Sequence, residues 1–395
     1  MAETTRESAV EEASAPGPLS GVRVLDFTMY VAGPYCSRLM ADMGAEVIKV
    51  ESAKGGDPIR RQGAIKDDLS WYFVQFNRNK KSILLDLYTD EGKEDLALLL
   101  RDADVLVENY RPGVLAKMGF PPERLKQINP RLVHASVSGY GSSGPYVDRP
   151  SFDFIAQAMS GFMSVNGPPD GDPMRGAPPM SDLIAGLYCA FGVVTALQAR
   201  ERTGEGQMVE TSLTNGLISM MAYLSAQYFA TGKVPERTGN NHPIVAPYGL
   251  FPAKDGMVAV APSNDVFVHR FLGVLGLEHI LEEDRFRTNA DRMANRPALL
   301  EIVNEVTKTQ TVDHWIDVIN AAGCPCGRVQ NLEEVFSDPQ VLSQDMVLEA
   351  DQPGHGKVKM TGFPVKLSET PAKLHRPAPK LGEHTEEILG ALRKR

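Results

Sequence analysis

Ser181 and Asp182 stand at the start of a strongly apolar stretch, and two kinds of chemistry suit that arrangement. Ser181 as an N-cap, with Asp182 in the first turn, would satisfy free backbone N–H groups and the helix dipole. A partly desolvated carboxylate at a helix start is also a nucleophile able to attack a thioester carbonyl and form an anhydride. Spacing does not choose between them. Basic residues recur at the loops of an alternating pattern: Lys54, Arg60 and Arg61, then Arg78, Lys80 and Lys81, then Arg111 and Lys117. Gathered at one edge they suit a phosphorylated ligand, and taken singly each reads as a solvated surface charge. The turn Thr28 to Pro34 lacks the GxGxxG fingerprint that a dinucleotide pyrophosphate needs, which argues against a nicotinamide dehydrogenase. It still points to a ligand, because open α/β sheets bind at the carboxyl ends of their strands.

The elements that would position these residues alternate. Val22 to Phe27 reads as a strand, a helical pattern runs through Leu39 and Met43 to Gly44, and Glu46 to Val50 reads as a second strand. Strand patterns follow at Ile83 to Leu87, Val105 to Glu108 and Leu132 to Val137, with a helix at Glu91 to Arg101. This predicts an α/β fold with a mostly parallel, doubly wound, Rossmann-like sheet. From 153 to 231 the pattern is helical, in Phe154 to Met163, Leu183 to Gln198 and Leu213 to Ala230; Leu183 to Leu197 reads as a buried helix too short to span a bilayer. Tyr248 to Ala261 predicts a hairpin closed at Asp255-Gly256, with helices at Phe267 to Leu275, Arg296 to Thr307 and Thr311 to Ala321. Strands and turns return over Val347 to Val365, before a helix at Thr385 to Arg393. The expected organisation is a loose tail over 1–18, a large domain over 19–230 and 331–395, and a smaller α+β domain over 231–330.

The 395 residues are 43 % hydrophobic and 23 % charged, which fits neither a disordered chain nor a membrane bundle. A net charge of −9 disfavours nucleic-acid and anionic-membrane partners. Four cysteines, two of them in a Cys324-Pro325-Cys326 run, match neither a zinc knuckle nor a redox CxxC, so a reducing cytoplasm is expected. The first residues lack the apolar core of a secretory signal, and Glu3, Glu7, Glu11 and Glu12 argue against a transit peptide.

The stretches LSGVRVLDFTMYVAGPYCSRLMADMGAEVIKVE, FNRNKKSILLDL, DVLVENYRPGVLAKMGF, INPRLVHASVSGYGSSGPY, FDFIAQAMSGFM, SDLIAGLYCAFGVVTAL, GCPCGRV and LGEHTEEIL resemble the family III CoA-transferases, the formyl-CoA and carnitine CoA-transferase group. The resemblance runs from Leu19 to Leu389 in the family's order. GDPMRGAPPMSDLIAGLY and NNHPIVAPYGLF are most similar to the branch that moves CoA between dicarboxylic acids such as succinate and a hydroxymethylglutarate-type acid. It implies that Asp182 is the catalytic carboxylate and that an acyl-aspartyl anhydride and an aspartyl-CoA thioester form in turn. It also implies an interlocked homodimer, an acyl-CoA donor and a carboxylic acid acceptor as substrates, and neither a metal nor a tightly bound cofactor.

By the same resemblance CoA lies along Val31, Ala32, Leu85, Asp86, Leu87, Tyr88, Asn109, Tyr110, Arg111 and Lys117. Asp153 stands in the family's second acidic position, where it also reads as a helix N-terminal carboxylate. Ser52 and Tyr88 depart from the basic residues that some members use for the nucleotide, so Arg60, Arg61 or Lys54 are the expected substitutes. A glycine-rich loop of the formyl-CoA transferases is missing around Gly239 to Gly249, which argues against formate or oxalate. Arg175, Arg237 and His242 are candidates for an acceptor's distal carboxylate, and Gly141 to Gly144 for a mobile cover. Two rivals remain. An α-methylacyl-CoA racemase needs a histidine where Phe152 stands, and a catalytically silent CoA-binding protein would retain the same fold.

Overall fold

Val24 and Leu25 are both fully buried yet belong to opposite faces of one strand, the period-two pattern of a sheet covered on both sides. The computed structural model describes residues 17–394, so the expected tail falls almost wholly outside the described residues. From the first strand, β1 (Arg23–Phe27), the chain runs through α1 (Ala32–Asp42) into β2 (Glu46–Glu51). A small hairpin, β3 (Ile65–Lys66) and β4 (Leu69–Ser70), leads to α2 (Trp71–Asn77), whose first turn is capped by the Ser70 hydroxyl. Then come β5 (Lys80–Leu84), α3 (Asp90–Arg101), β6 (Val105–Glu108), α4 (Val114–Lys117), α5 (Pro122–Ile128) and β7 (Val133–Ser138). The helical stretch contains α6 (Asp153–Met159), α7 (Phe162–Val165) and the long α8 (Met180–Thr203). It is followed by β8 (Met208–Ser212), α9 (Leu213–Ser219) and α10 (Ala222–Thr231).

Six of these strands form one sheet in the order β5-β2-β1-β6-β7-β8, parallel at every pairing. Counted along the chain this is 3-2-1-4-5-6, the order of a doubly wound sheet whose connections diverge between β1 and β6. On one face α1 and α8 cover Val24, Val47, Val105, Val107 and Val133. On the other, Leu96, Leu99 and Leu100 of α3 and Leu125 of α5 cover Leu25, Ile48, Ile83 and Leu106.

The described residues divide into two compact units, one of residues 17–162, 176–225 and 340–394, the other of 163–175 and 226–339. The second contains the hairpin β9 (Gly249–Ala253) and β10 (Gly256–Val260), then α11 (Asp265–Val274), α12 (Asn289–Ala294), α13 (Arg296–Thr307) and α14 (Val312–Ala321). A third strand, β11 (Cys326–Arg328), pairs antiparallel with β10, and α15 (Leu332–Ser337) follows. Phe251, Phe271, Phe286 and Trp315 fill its core. Segment 163–175, which the sequence pattern leaves with the large domain, belongs here because Arg237 donates to Pro168 O and Gly171 O while Gly239 N donates to Gly167 O. After α16 (Pro339–Ser343), the hairpin β12 (Val347–Gln352) and β13 (Gly356–Thr361) and the last helix, α17 (Thr385–Leu392), belong to the large unit, where α17 packs on α3 and β5.

Several expectations are corrected. The third strand begins at Lys80, three residues before the apolar run, and Leu85 to Leu87 lie beyond its end. Strand β8 carries no apolar run and was not anticipated. The expected helices at 154–163 and 213–230 are each broken in two, at Ser160-Gly161 and at Met220-Met221, where Gly161 and Ala222 take positive φ. Helix α8 is buried on one side only: Ala185, Cys189 and Val193 are enclosed, while Leu187, Phe191 and Val194 are exposed. It is long and apolar enough to cross a membrane by composition alone.

Candidate active site

The site begins with charges buried at the carboxyl end of β1. Asp26 accepts from Lys80 Nζ at 2.9 Å, Ser37 Oγ at 2.7 Å and Thr28 N at 2.9 Å. Lys49 Nζ meets Asp57 Oδ2 at 3.0 Å and donates to Thr28 O at 2.7 Å. Burial alone would push the Asp26 carboxyl up, but Lys80 and Lys49 outweigh it and hold it well below the usual range. Burial lowers Lys80 to about 8 despite its carboxylate partner. Arg78 is likewise enclosed, against Asp42. Arg78 and Lys80 are therefore framework charges, a correction to their reading as part of a phosphate-binding patch.

This framework holds a strained loop. Asp57 Oδ1 accepts from Tyr30 N at 3.2 Å, and Tyr30 has a φ of 65°, in the left-handed region that a bulky residue seldom enters. Asn109, after β6, clamps the same loop: its Oδ1 accepts from Met29 N at 2.9 Å and its Nδ2 donates to Met29 O at 2.7 Å. The loops after β1 and β6 are thus joined across the point where the sheet's connections diverge.

Asp182 arrives from the other side. Helix α8 starts at Met180 with Pro179 as its N-cap, so Ser181 is not the cap that the sequence suggested. Its backbone N and its hydroxyl both donate to Asp153 Oδ1, each at 2.9 Å, while Gln157 Nε2 donates to Asp153 Oδ2 at 2.7 Å. Asp153 braces Ser181, the neighbour of Asp182, from the first residue of α6. One turn after Asp182, Gly186 lets α8 approach α1: a Cβ there would stand 2.4 Å from Ala32 O. The helix N-terminus favours a charged Asp182, but burial, together with the Asp153 carboxylate, wins and raises its pKa to about 7. Asp182 is thus a carboxylate of raised basicity that is still substantially ionised at neutral pH.

Asp182, Val31, Ala32, Asn109, Tyr110 and Arg111 all line one cavity of about 400 Å³. Burial raises the Tyr110 hydroxyl to about 12, so the phenol stays protonated. Met29, Tyr30, Ser138, Gly139, Arg149 and Phe152 complete much of the wall and were not among the candidate site residues. Their legible signal was position, directly after β1 and β7 or just ahead of Asp153. Phe152 stands edge-on to Tyr30 with ring centroids 5.6 Å apart.

The remaining candidates lie elsewhere. Ser52, Leu85, Asp86, Leu87 and Tyr88 follow β2 and β5, on the carboxyl edge of the sheet but outside the cavity wall; Leu85 and Leu87 are buried, and Tyr88 is 82 % exposed. Lys117 is exposed at the end of α4. Arg60 is committed to Glu51, at 2.6 and 2.8 Å, and lies over the Phe73 ring, so its guanidinium is already paired and only partly exposed, a correction to its reading as a nucleotide ligand. Lys54 and Arg61 remain exposed. Arg175, Arg237 and His242 belong to the second unit, whereas every cavity-wall residue belongs to the first. Arg237 is engaged with backbone carbonyls, and His242 lies beside Tyr248 with its pKa lowered by burial and Arg296. The Gly141 to Gly144 turn is tied down, since Ser142 N and Oγ donate to Glu210.

Comparison with known proteins identifies the family. A succinate–glutarate CoA-transferase of Agrobacterium fabrum is 36 % identical over 382 residues, 95 % of this chain and 96 % of its own. An acetyl-CoA:oxalate CoA-transferase of Acetobacter aceti is 40 % identical over 97 % of this chain and 96 % of its own. A solved CAIB/BAIF family protein from Brucella suis superposes with a TM-score of 0.84 at 36 % identity, covering 95 % of this chain and all of that one. The model for CoA-transferase family III matches residues 19–385, and the chain is a member of that enzyme family.

Proposed function

We propose that the enzyme moves CoA reversibly from succinyl-CoA to a second dicarboxylic acid through covalent intermediates on Asp182. The placement of Asp182 in the cavity at the sheet's divergence point, with a pKa of about 7, carries this reading. Its carboxylate oxygen attacks the thioester carbonyl, the C–S bond breaks and CoA leaves as thiolate, giving an anhydride. The thiolate attacks the Asp182 carbonyl and releases succinate. The acceptor carboxylate then attacks the aspartyl thioester, and the returning thiolate takes the acceptor's acyl group and frees Asp182. No net proton or electron is exchanged, so the site has to position the groups and exclude water.

Val31, Ala32, Asn109, Tyr110 and Arg111 would carry the thioester end of CoA, with the nucleotide end along the sheet edge toward Lys117, Lys54 and Arg61. The relatives' names support dicarboxylic acids as substrates, and the Acetobacter name keeps oxalate among the acceptors to be tested, against the sequence expectation. The exposed Leu187, Phe191 and Val194 on α8 support a homodimer, since so apolar a helix face calls for a cover. Four free thiols support a reducing compartment such as the cytoplasm.

Mass spectrometry after incubation with succinyl-CoA, with hydroxylamine trapping, tests the chemistry. A hydroxamate mapped to Asp182, absent in Asp182→Asn, and a loss of exchange of about 10³-fold or more are expected. No adduct and no exchange with any acyl-CoA would sink the reading in favour of an isomerase or a silent CoA binder.

A further inference from the structure

Succinate and every other dicarboxylic substrate bring a second negative charge into a cavity that already contains the Asp182 carboxylate. A carboxylate leaving water for such a place needs a cation or several donors. The cavity wall offers two guanidinium groups, Arg111 and Arg149, and neither has a carboxylate within 4 Å among the described residues. Arg111 shares its loop with Asn109 and Tyr110, on the wall assigned to the CoA arm. Arg149 stands on the wall that leads into Asp182: four residues later the chain reaches Asp153, which is bonded to Ser181. Its guanidinium lies 3.8 Å from the centroid of the Tyr146 ring, and Tyr146 itself stands edge-on to Tyr140 at 5.7 Å. Stacking of this kind restrains the side chain while leaving its N–H edge free to donate. Because Arg149 is not paired with the nucleophile, its charge is available to the substrate.

We propose that Arg149 is the specificity-determining residue that pairs with the carboxylate of the substrate acyl group farther from Asp182. This rests on the reading of the enzyme as a dicarboxylate CoA-transferase. It assigns to the large unit a role for which the sequence offered Arg175, Arg237 and His242.

The test compares CoA exchange with dicarboxylic acceptors (glutarate, oxalate) and a monocarboxylic acceptor of similar size (butyrate) for wild type, Arg149→Ala, Arg149→Lys and Arg111→Ala, alongside hydroxylamine trapping at Asp182. In Arg149→Ala the ratio of kcat/KM for glutarate to that for butyrate is expected to fall on the order of 10-fold to 100-fold, the range for losing a charged hydrogen bond. Most of that fall should lie in the glutarate KM, and Arg149→Lys should recover part of it. Arg111→Ala should raise the KM for the CoA thioester whatever the acyl group. An unchanged ratio in Arg149→Ala, with the Asp182 adduct still formed, overturns the proposal and leaves CoA transfer standing. So does a wild type that exchanges CoA without preferring dicarboxylates. A wild type that exchanges CoA with no acid overturns the functional reading itself.

Discussion

A carboxylate that attacks a thioester must be ionised, and a carboxylate that is too acidic attacks poorly. Asp182 sits between these limits because burial and Asp153 raise its pKa to about 7. The acylation rate should therefore climb through about pH 7 and level off above it, and single-turnover acylation by succinyl-CoA across pH 5 to 9 would check this. In Asp153→Asn the charge next to Asp182 is removed while an acceptor for Ser181 N remains, so the midpoint should move to lower pH; an unmoved midpoint would leave burial as the whole cause. The same residue carries a stability cost whose sign follows from linkage. Its folded pKa lies above the ordinary 3.8, so the folded state binds the proton more tightly than the unfolded chain does. That penalty grows from about pH 4 to 7 and is complete above 7. Asp182→Asn should accordingly raise Tm at pH 8 and much less at pH 5, as calorimetry at the two values would show.

At the scale of elements, the contact of α8 with α1 places Asp182 beside the Val31-Ala32 turn. Gly186→Ala forces a Cβ into Ala32 O, so it should cost about 1–3 kcal/mol. Transfer should fall by more than the fraction unfolded, which chemical denaturation and kinetics on the same samples would reveal. The sheet was legible where its strands are apolar: Val105 to Glu108 matches its observed bounds, and the helix Arg296–Thr307 does too. It was misplaced where the buried residues are polar. Lys80 and Ser82 lie inside β5 because Asp26 and Glu51 receive them, and a pattern of apolar residues does not register partners that lie 31 and 54 positions away. For β8 the reason is its edge position, which leaves Met208 and Glu210 exposed. That Asp182, the Val31-Ala32 turn and the Asn109 loop meet at one cavity was legible through motif. Arg149 was not, since its meaning comes from Tyr146 and from a cavity whose walls are assembled from distant segments.

For the whole molecule, the exposed face of α8 is the feature that water tolerates least. Phe191 is 70 % exposed with Leu187 and Val194 beside it, so Phe191→Asp should shift the proposed homodimer toward monomer in light scattering coupled to size exclusion. A monomeric wild type would remove that proposal. A further consequence belongs to the last helix. His384 N donates to Ser82 O at 2.8 Å, Gly382 N donates to Ser82 Oγ at 2.9 Å, and Arg393 pairs with Asp95 at 2.6 Å. Edge strand β5 is thus finished by residues made some 300 positions later. At about 5–20 residues per second, a ribosome leaves that edge bare for roughly 15–60 s. During synthesis, then, the enzyme carries an open β-edge of the kind that recruits stray strands, and a tail clipped before Gly382 would leave it bare for the lifetime of the chain.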